Sequence, residues 1–432
     1  MRFRAVDVAS ATGGELHGPD VDIAGVAFDS RSVQPGQLFV PIIADRDGHD
    51  FIPDAIDRGA AAYLTSRPEL VPGATAIVVP DTVRALMALA ADRRAEFTGP
   101  VIGITGSVGK TSTKDLAWAA LAASRATWAN ERSFNNEQGL PTTMLNTPPD
   151  TEVMVLEMGM RGLGEIADLC RIARPTVGVV TMVAEAHGDR VGGIEGVAAA
   201  KSELIAALPA TGYAILNADD HRTKAMSAVS VATVLLFGES GEADVRISAL
   251  RMDNLARATF HLDTPWGACE VRLGVSGRHM AHNAAAALAC VGAVGGDAVA
   301  GAGVLANVSI SAMRMQIQYT PSGTTVLNDA YNANPTSMRA ALDTLAELKA
   351  DRRIAVVGVM AEITDAAAEH RAIFEYAAAR GIEVIAYGTD LYGIAPVADP
   401  IAALGSLAGG EAVLVKASRL VGLDRVAARL VG

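Results

Sequence analysis

Cysteine, aromatic rings and positive charge are all in short supply in this chain. Its three cysteines, Cys170, Cys269 and Cys290, stand far apart, without a CxxC spacing or a histidine-rich neighbourhood. That excludes a disulfide framework and a zinc site of the usual spacing, and leaves them as small core residues of a reducing compartment. Aromatics are 4% of residues and charged residues 19%, while half the chain is apolar; such a profile excludes a disordered chain and fits a compact α/β protein. The formal net charge is -12. Nonspecific binding to nucleic acid or to an anionic membrane needs basic patches, so neither is expected, and an anionic substrate must be met by locally placed cations. Long apolar runs are missing too. The start, MRFRAVDVASATGGEL, has no apolar signal segment, and the run near Ala284 to Gly296 is too short to span a bilayer. The expected location is the cytoplasm.

What is present is length and rhythm. At about 150 residues per domain, 432 residues suggest about three domains. Up to Phe97, short β-rich runs (VDIAGVAFDS, QLFVPII, AAYLTS, TAIVVP) mix with two helical patterns, and Thr98-Gly99-Pro100 closes the segment. Then apolar strands alternate with helices: VIGIT, KTSTKDLAWAALAAS, VMVLEM, a helix near Glu165 to Ile172, VGVVTMV, a helix near Ile194 to Leu208, and YAILN. Strands this uniformly apolar, spaced by helices, predict a parallel sheet covered on both faces. ADVRISAL, ATFHLDT and CEVRLGV alternate instead, which predicts an antiparallel edge or subdomain, followed by an Ala-rich helix from His282. A third strand-helix series from near Tyr319 predicts a smaller doubly wound unit. The expected division is 1–98, 99–318 and 319–432.

The strongest chemical signal is VIGITGSVGKTSTKD. A strand running through Gly106, Ser107, Val108 and Gly109 into a helix that opens with Lys110, Thr111 and Ser112 places backbone N–H groups around a phosphate. Lys110 then reaches the terminal phosphates and the Thr111 hydroxyl a magnesium ion. Ile104 stands where the full GxxxxGK[ST] pattern has its first glycine. Glu157 ends the strand VMVLEM, the edge at which open parallel sheets bind ligands, and offers a second magnesium ligand. His187 follows the next strand and Lys201 lies on the helix GIEGVAAAKSELIAAL. A strand-end carboxylate, a lone histidine or a helical lysine is ordinarily structural or solvated; their order after a phosphate loop is what singles them out.

Nearly the whole chain resembles the Mur ligase family. The matching segments are FDSRSVQPGQLFV and DGHDF, then TGSVGKTSTKD, NNEQGLPTTML, LEMGMRGLGEIADLCRIARP, AHGDRVGG, AKSEL, NADD, GRH and RM, and finally DAYNANPTSM, MAEI, EHR and VKASR. DAYNANP is similar to the branch of the family that adds a dipeptide, and the DNPR-type signature of the diaminopimelate-adding branch is missing. The resemblance implies a central P-loop parallel-sheet ATPase domain between an N-terminal α/β UDP-binding domain and a C-terminal Rossmann-like domain. It implies a monomer that uses ATP and Mg2+ to phosphorylate the carboxylate of UDP-N-acetylmuramoyl-tripeptide, so that the amine of D-alanyl-D-alanine can attack the acyl phosphate. Catalytic roles fall to Lys110, His187 and a carbamylated Lys201, and metal-site roles to Thr111, Glu157, His187 and Lys201. Asn283, Arg314 and Asp329 match ATP contacts. Ser30, Arg31, Asn135, Asn136, Asn332, Asn334, Lys416, Ser418 and Arg419 match substrate-facing positions, the last five on a surface of the third domain.

Departures from the family pattern are local. Met182 and Met280 stand where it has asparagines against the adenine, and the two are expected to pack together on the base. AMRM replaces the usual GRM, VMAEIT the usual DMxELG, and Ala417 a glycine. Other members of the family, such as folylpolyglutamate or cyanophycin synthetase-like ligases, a P-loop kinase, and a nucleotide-binding paralogue without turnover are the competing readings.

Overall fold

The computed structural model describes residues 2–131, 134–184, 191–361 and 363–432. The chain packs as two compact units, one of Met1–Gly103, Arg125–Met160 and Gly164–Thr176, the other of Ile104–Ser124, Arg161–Leu163 and Val177–Gly432.

The first unit carries a five-stranded sheet in the order Glu15–His17, Thr75–Val78, Ala62–Thr65, Leu38–Phe39, Val26–Ala27. All neighbours are parallel except the first pair. The β-rich runs and the helices Ile52–Asp57 and Thr82–Arg93 fall where the pattern predicts them. This unit also takes in the strands Thr127–Ala129 and Val153–Glu157, which pair in parallel, and the helices Gly139–Leu145 and Glu165–Ala173. Hydrogen bonds explain the grouping. The Asn146 amide brackets Val26, its Oδ1 accepting from the Val26 N–H and its Nδ2 donating to the Val26 carbonyl, each at 2.8 Å. The largely buried Arg94 donates to the Ala173 and Arg174 carbonyls. A guanidinium capping a helix C-terminus satisfies carbonyls that the helix leaves open.

In the second unit Val177–Val180, Tyr213–Asn217, Thr233–Gly238 and Val245–Met252 run parallel, and Arg257–Thr264 and Gly267–Ser276 continue the sheet antiparallel. The alternating segments are therefore an edge of this sheet, with the helix His279–Ala293 packed on its strands. That helix is almost entirely buried, which is why its sequence is Ala-rich on every face. The C-terminal sheet has the order Gln316–Tyr319, Thr325–Asn328, Glu411–Lys416, Arg352–Val357, Glu383–Ala386, parallel apart from the first strand. Among the described residues no helix is long and apolar enough to cross a membrane.

Candidate active site

The strand Val101–Thr105, fully buried, delivers the chain into Gly106–Gly109, and the helix Lys110–Ala122 starts at once. The loop is held by side chains from the next strand's exit. The Thr181 hydroxyl donates to the Val108 carbonyl at 2.6 Å. The Ser107 N–H donates to the Met182 carbonyl at 2.8 Å, and its hydroxyl donates to the Ala184 carbonyl at 2.7 Å while accepting from the Ala184 N–H at 2.9 Å. Gly109 lies at φ 84°, and a Cβ there would come within 2.6 Å of Asn283 Oδ1. Only glycine fits both the left-handed backbone and that approach. Lys110 Nζ donates to the Gly106 carbonyl at 2.7 Å, so the ammonium lies across the loop's mouth. Thr111 and Ser112 are buried at the helix start. The result is a helix N-terminus with a cation beside it, which is an arrangement for binding phosphate.

Lys201 is no solvated lysine. It is 4% exposed on the helix Gly193–Ala206, and burial, reinforced by the charge of Lys110, pushes its amine well below the ordinary lysine range. Its neutral form is therefore favoured. Glu157 is equally buried at the end of its strand, in the first unit. Asn130 brackets its backbone, accepting from the Glu157 N–H at 2.8 Å and donating to its carbonyl at 3.1 Å, and Asn135 Nδ2 donates to the carboxylate at 2.7 Å. Asn136 holds the N-terminus of the helix Gly139–Leu145, its Oδ1 accepting from the Gly139 N–H at 2.9 Å. His187 lies outside the described residues. Ser30 is buried in a short 3-10 turn, while the exposed Arg31 pairs with Asp29 and, by that hydrogen bond, lowers the Asp29 pKa.

The C-terminal candidates are arranged differently from their sequence reading. Lys416, expected on a surface, is 2% exposed, and Nζ reaches Asp329 Oδ2 at 2.5 Å and the Asn332 carbonyl at 2.8 Å. A buried ammonium needs such partners to remain charged. Ser418 is buried too, whereas Asn332 and Arg419 are exposed, Arg419 donating to Met313 Sδ at 3.2 Å and pairing with Asp424. Asn334 caps the helix Pro335–Glu347 in a capping box with Ser337. Arg314 stacks on the Tyr331 ring at 4.1 Å, and the other Asp329 oxygen accepts from the Met315 N–H at 3.1 Å. Met280 is buried and its sulfur accepts from Asn283 Nδ2 at 3.5 Å, whereas Met182 is half-buried and engages the loop through its carbonyl.

Family models match three stretches: Mur ligase family, catalytic domain, at residues 22–94; Mur ligase middle domain at 104–291; and Mur ligase, glutamate ligase domain, at 313–424. The UDP-N-acetylmuramoyl-tripeptide--D-alanyl-D-alanine ligase of Mycobacterium tuberculosis is 39% identical over 94% of this chain and 92% of its own length. The chain belongs to the Mur ligase family. Among solved structures, a MurF from Acinetobacter baumannii superposes with a TM-score of 0.87 at 28% identity, covering 100% of this chain and 99% of that one. The MurF ligase from Thermotoga maritima in complex with ADP gives 0.82 at 27% identity over 94% and 96%.

As a Mur ligase this chain is an ATP-dependent enzyme forming a carbon–nitrogen bond, and several residues that serve its site carry no motif signal. Thr181 and Asn130 are single polar residues at strand exits, legible only as punctuation in the sequence. Each does its work through backbone groups far along the chain, Val108 and Glu157 respectively. His279, by contrast, is the histidine of the GRH segment; desolvation in the packing pushes its pKa down to about 4, against the opposing pull of Asp329.

Proposed function

We propose that this Mur ligase adds D-alanyl-D-alanine to UDP-N-acetylmuramoyl-tripeptide in the cytoplasm, working as a monomer in peptidoglycan precursor synthesis. The observation that carries this reading is the near full-length likeness to ligases named for that reaction. A carboxylate oxygen of the tripeptide attacks the γ-phosphorus of ATP, the bond to the β-γ bridging oxygen breaks, and ADP leaves an acyl phosphate. The dipeptide amine then attacks the acyl carbon; the carbon–nitrogen bond forms, phosphate departs with its oxygen, and the amine proton passes to solvent. Loop N–H groups between Gly106 and Thr111, other than that of Ser107, and the Lys110 ammonium meet the charge that spreads over the transferred group.

Thr111 in the second unit and Glu157 in the first each present a buried oxygen donor of the kind Mg2+ takes and would serve as magnesium ligands. The ion would supply positive charge against that of the transferred phosphate. Lys201, whose burial shifts its amine towards the neutral form, would carry a carbamate formed from CO2, its proton leaving to water, and with His187 would serve a second ion. Arg314, Asp329 and Asn283 serve the nucleotide, Ser30 and Arg31 the UDP group, and Asn135, Asn136, Asn332, Ser418 and Arg419 the peptide. Incubating the protein with ATP, magnesium, D-alanyl-D-alanine and the lysine- or diaminopimelate-containing tripeptide tests the reading by mass spectrometry. A UDP-muramyl-pentapeptide that requires every component is expected; no product with either tripeptide overturns it.

A further inference from the structure

Asp115 belongs to the helix that begins at Lys110, one turn beyond the phosphate loop. Its Oδ1 pairs with Lys114 at 3.1 Å and its Oδ2 accepts from the Ser311 N–H at 2.7 Å, across 196 positions of sequence. Ser311 opens a short strap to the C-terminal sheet, and Arg314 is its third residue onward. The strap is unusual in its backbone. Met313 and Met315, on either side of Arg314, both sit at positive φ, 60° and 50°, which is strained for side-chain-bearing residues and persists only when the surroundings fix it. Contacts downstream do so, among them the Met315 N–H on Asp329, the Tyr331 N–H on the Met313 carbonyl at 3.2 Å, the Arg314 guanidinium on the Tyr331 ring, and Arg419 on Met313 Sδ. Upstream, Asp115 ties the strap through the Ser311 N–H.

We propose that Asp115 is a positioning residue, which sets Arg314 relative to the phosphate loop by gripping the strap from the loop's own helix. The two halves of the nucleotide site are thereby indexed to each other through one carboxylate. This inference rests on the nucleotide role given above to Arg314, and the experiment separates the two.

The test is a double-mutant cycle on the affinity for the non-hydrolysable analogue adenylyl imidodiphosphate with magnesium, measured by calorimetry. Arg314→Ala and Asp115→Ala are each expected to weaken binding about tenfold, and the double variant also about tenfold, because residues that act through one contact are not additive. A double variant weakened about a hundredfold, the product of the singles, or an Asp115→Ala variant that binds normally, overturns the coupling alone. Wild-type affinity in Arg314→Ala overturns the role of Arg314 and this proposal with it. Asp115→Asn keeps an acceptor for the Ser311 N–H and is expected to restore most of the affinity. An Asn variant as weak as the Ala variant contradicts the tether and assigns the effect to the Lys114 pair.

Discussion

The phosphate loop and the Asp329–Lys416 cluster both carry family motifs, yet they are built in opposite ways. Around Gly106–Thr111, side chains of Thr181, Ser107 and Asn283 buttress a backbone whose N–H groups line the mouth. Around Asp329, the Met315 N–H and the Lys416 ammonium hold a carboxylate that is itself largely buried, while the Asn332 carbonyl accepts from Lys416 and the Val415 carbonyl from the Asp329 N–H. A loop that must meet a ligand's charge with N–H groups relies on its side chains as scaffolding. A cluster whose charges are already paired contributes first to the fold. Loss of a charge in the second region should therefore unfold, while a change in the first should mainly disable.

Lys416→Met should break this contrast most severely on the folding side. It leaves Asp329 without its cation and is expected to cost about 3–5 kcal/mol of stability, read as a lowered denaturation midpoint in urea. A midpoint equal to wild type would mean that Lys416 is held for a ligand rather than for the fold.

His279 comes next in size. Its folded pKa of about 4 lies below the ordinary 6.5, so the unfolded chain binds more protons between those values. Stability from this group is full above pH 6.5 and falls as pH drops towards 4, by about 3 kcal/mol at most. In His279→Gln the slope over that window should flatten, measured by denaturation midpoints at a series of pH values; an unchanged slope would remove His279 from the account.

Gly109→Ala probes the loop's scaffolding. The left-handed backbone costs about 1–2 kcal/mol for an alanine, and the new Cβ presses on Asn283, so nucleotide affinity should fall with a small change in melting temperature. The reverse pattern, a normal affinity in a destabilised protein, would put Gly109 on the folding side of the comparison. The smallest effect concerns the base. Met182 and Met280 offer thioethers where amides are usual, and discrimination between ATP and GTP should be within about tenfold, since apolar contact separates ligands weakly. A competition assay with strict ATP preference would contradict this.

Much of this architecture was legible because strand and helix periods differ. VIGIT, VMVLE and YAILN are buried strands, and ADVRISAL to CEVRLGV form the antiparallel edge. Thr233–Gly238, the parallel strand between those two regions, and the edge strand Gln316–Tyr319 carry no expectation although turn residues follow both: the first is a short apolar run without alternation, and the second alternates over only four residues. The packing of Arg125–Met160 and of Gly164–Thr176 with the N-terminal segment draws on Asn146 and on Arg94 respectively, polar residues whose partners lie about eighty or more positions away. At the site, the loop glycines announced themselves. Lys416 did not, because its surroundings come from strand register: Val415 N–H and carbonyl neighbours bring Asp329 opposite it.

The central claim is that the Gly106–Thr111 loop, with Lys110 across its mouth, handles the transferred phosphate. Phosphate release that depends on both peptide substrates, compared between the wild-type chain and Lys110→Ala, tests it most directly. The account predicts a loss of about a thousandfold in the variant, with the melting temperature unchanged. Turnover within a fewfold of wild type in a folded Lys110→Ala protein would contradict it.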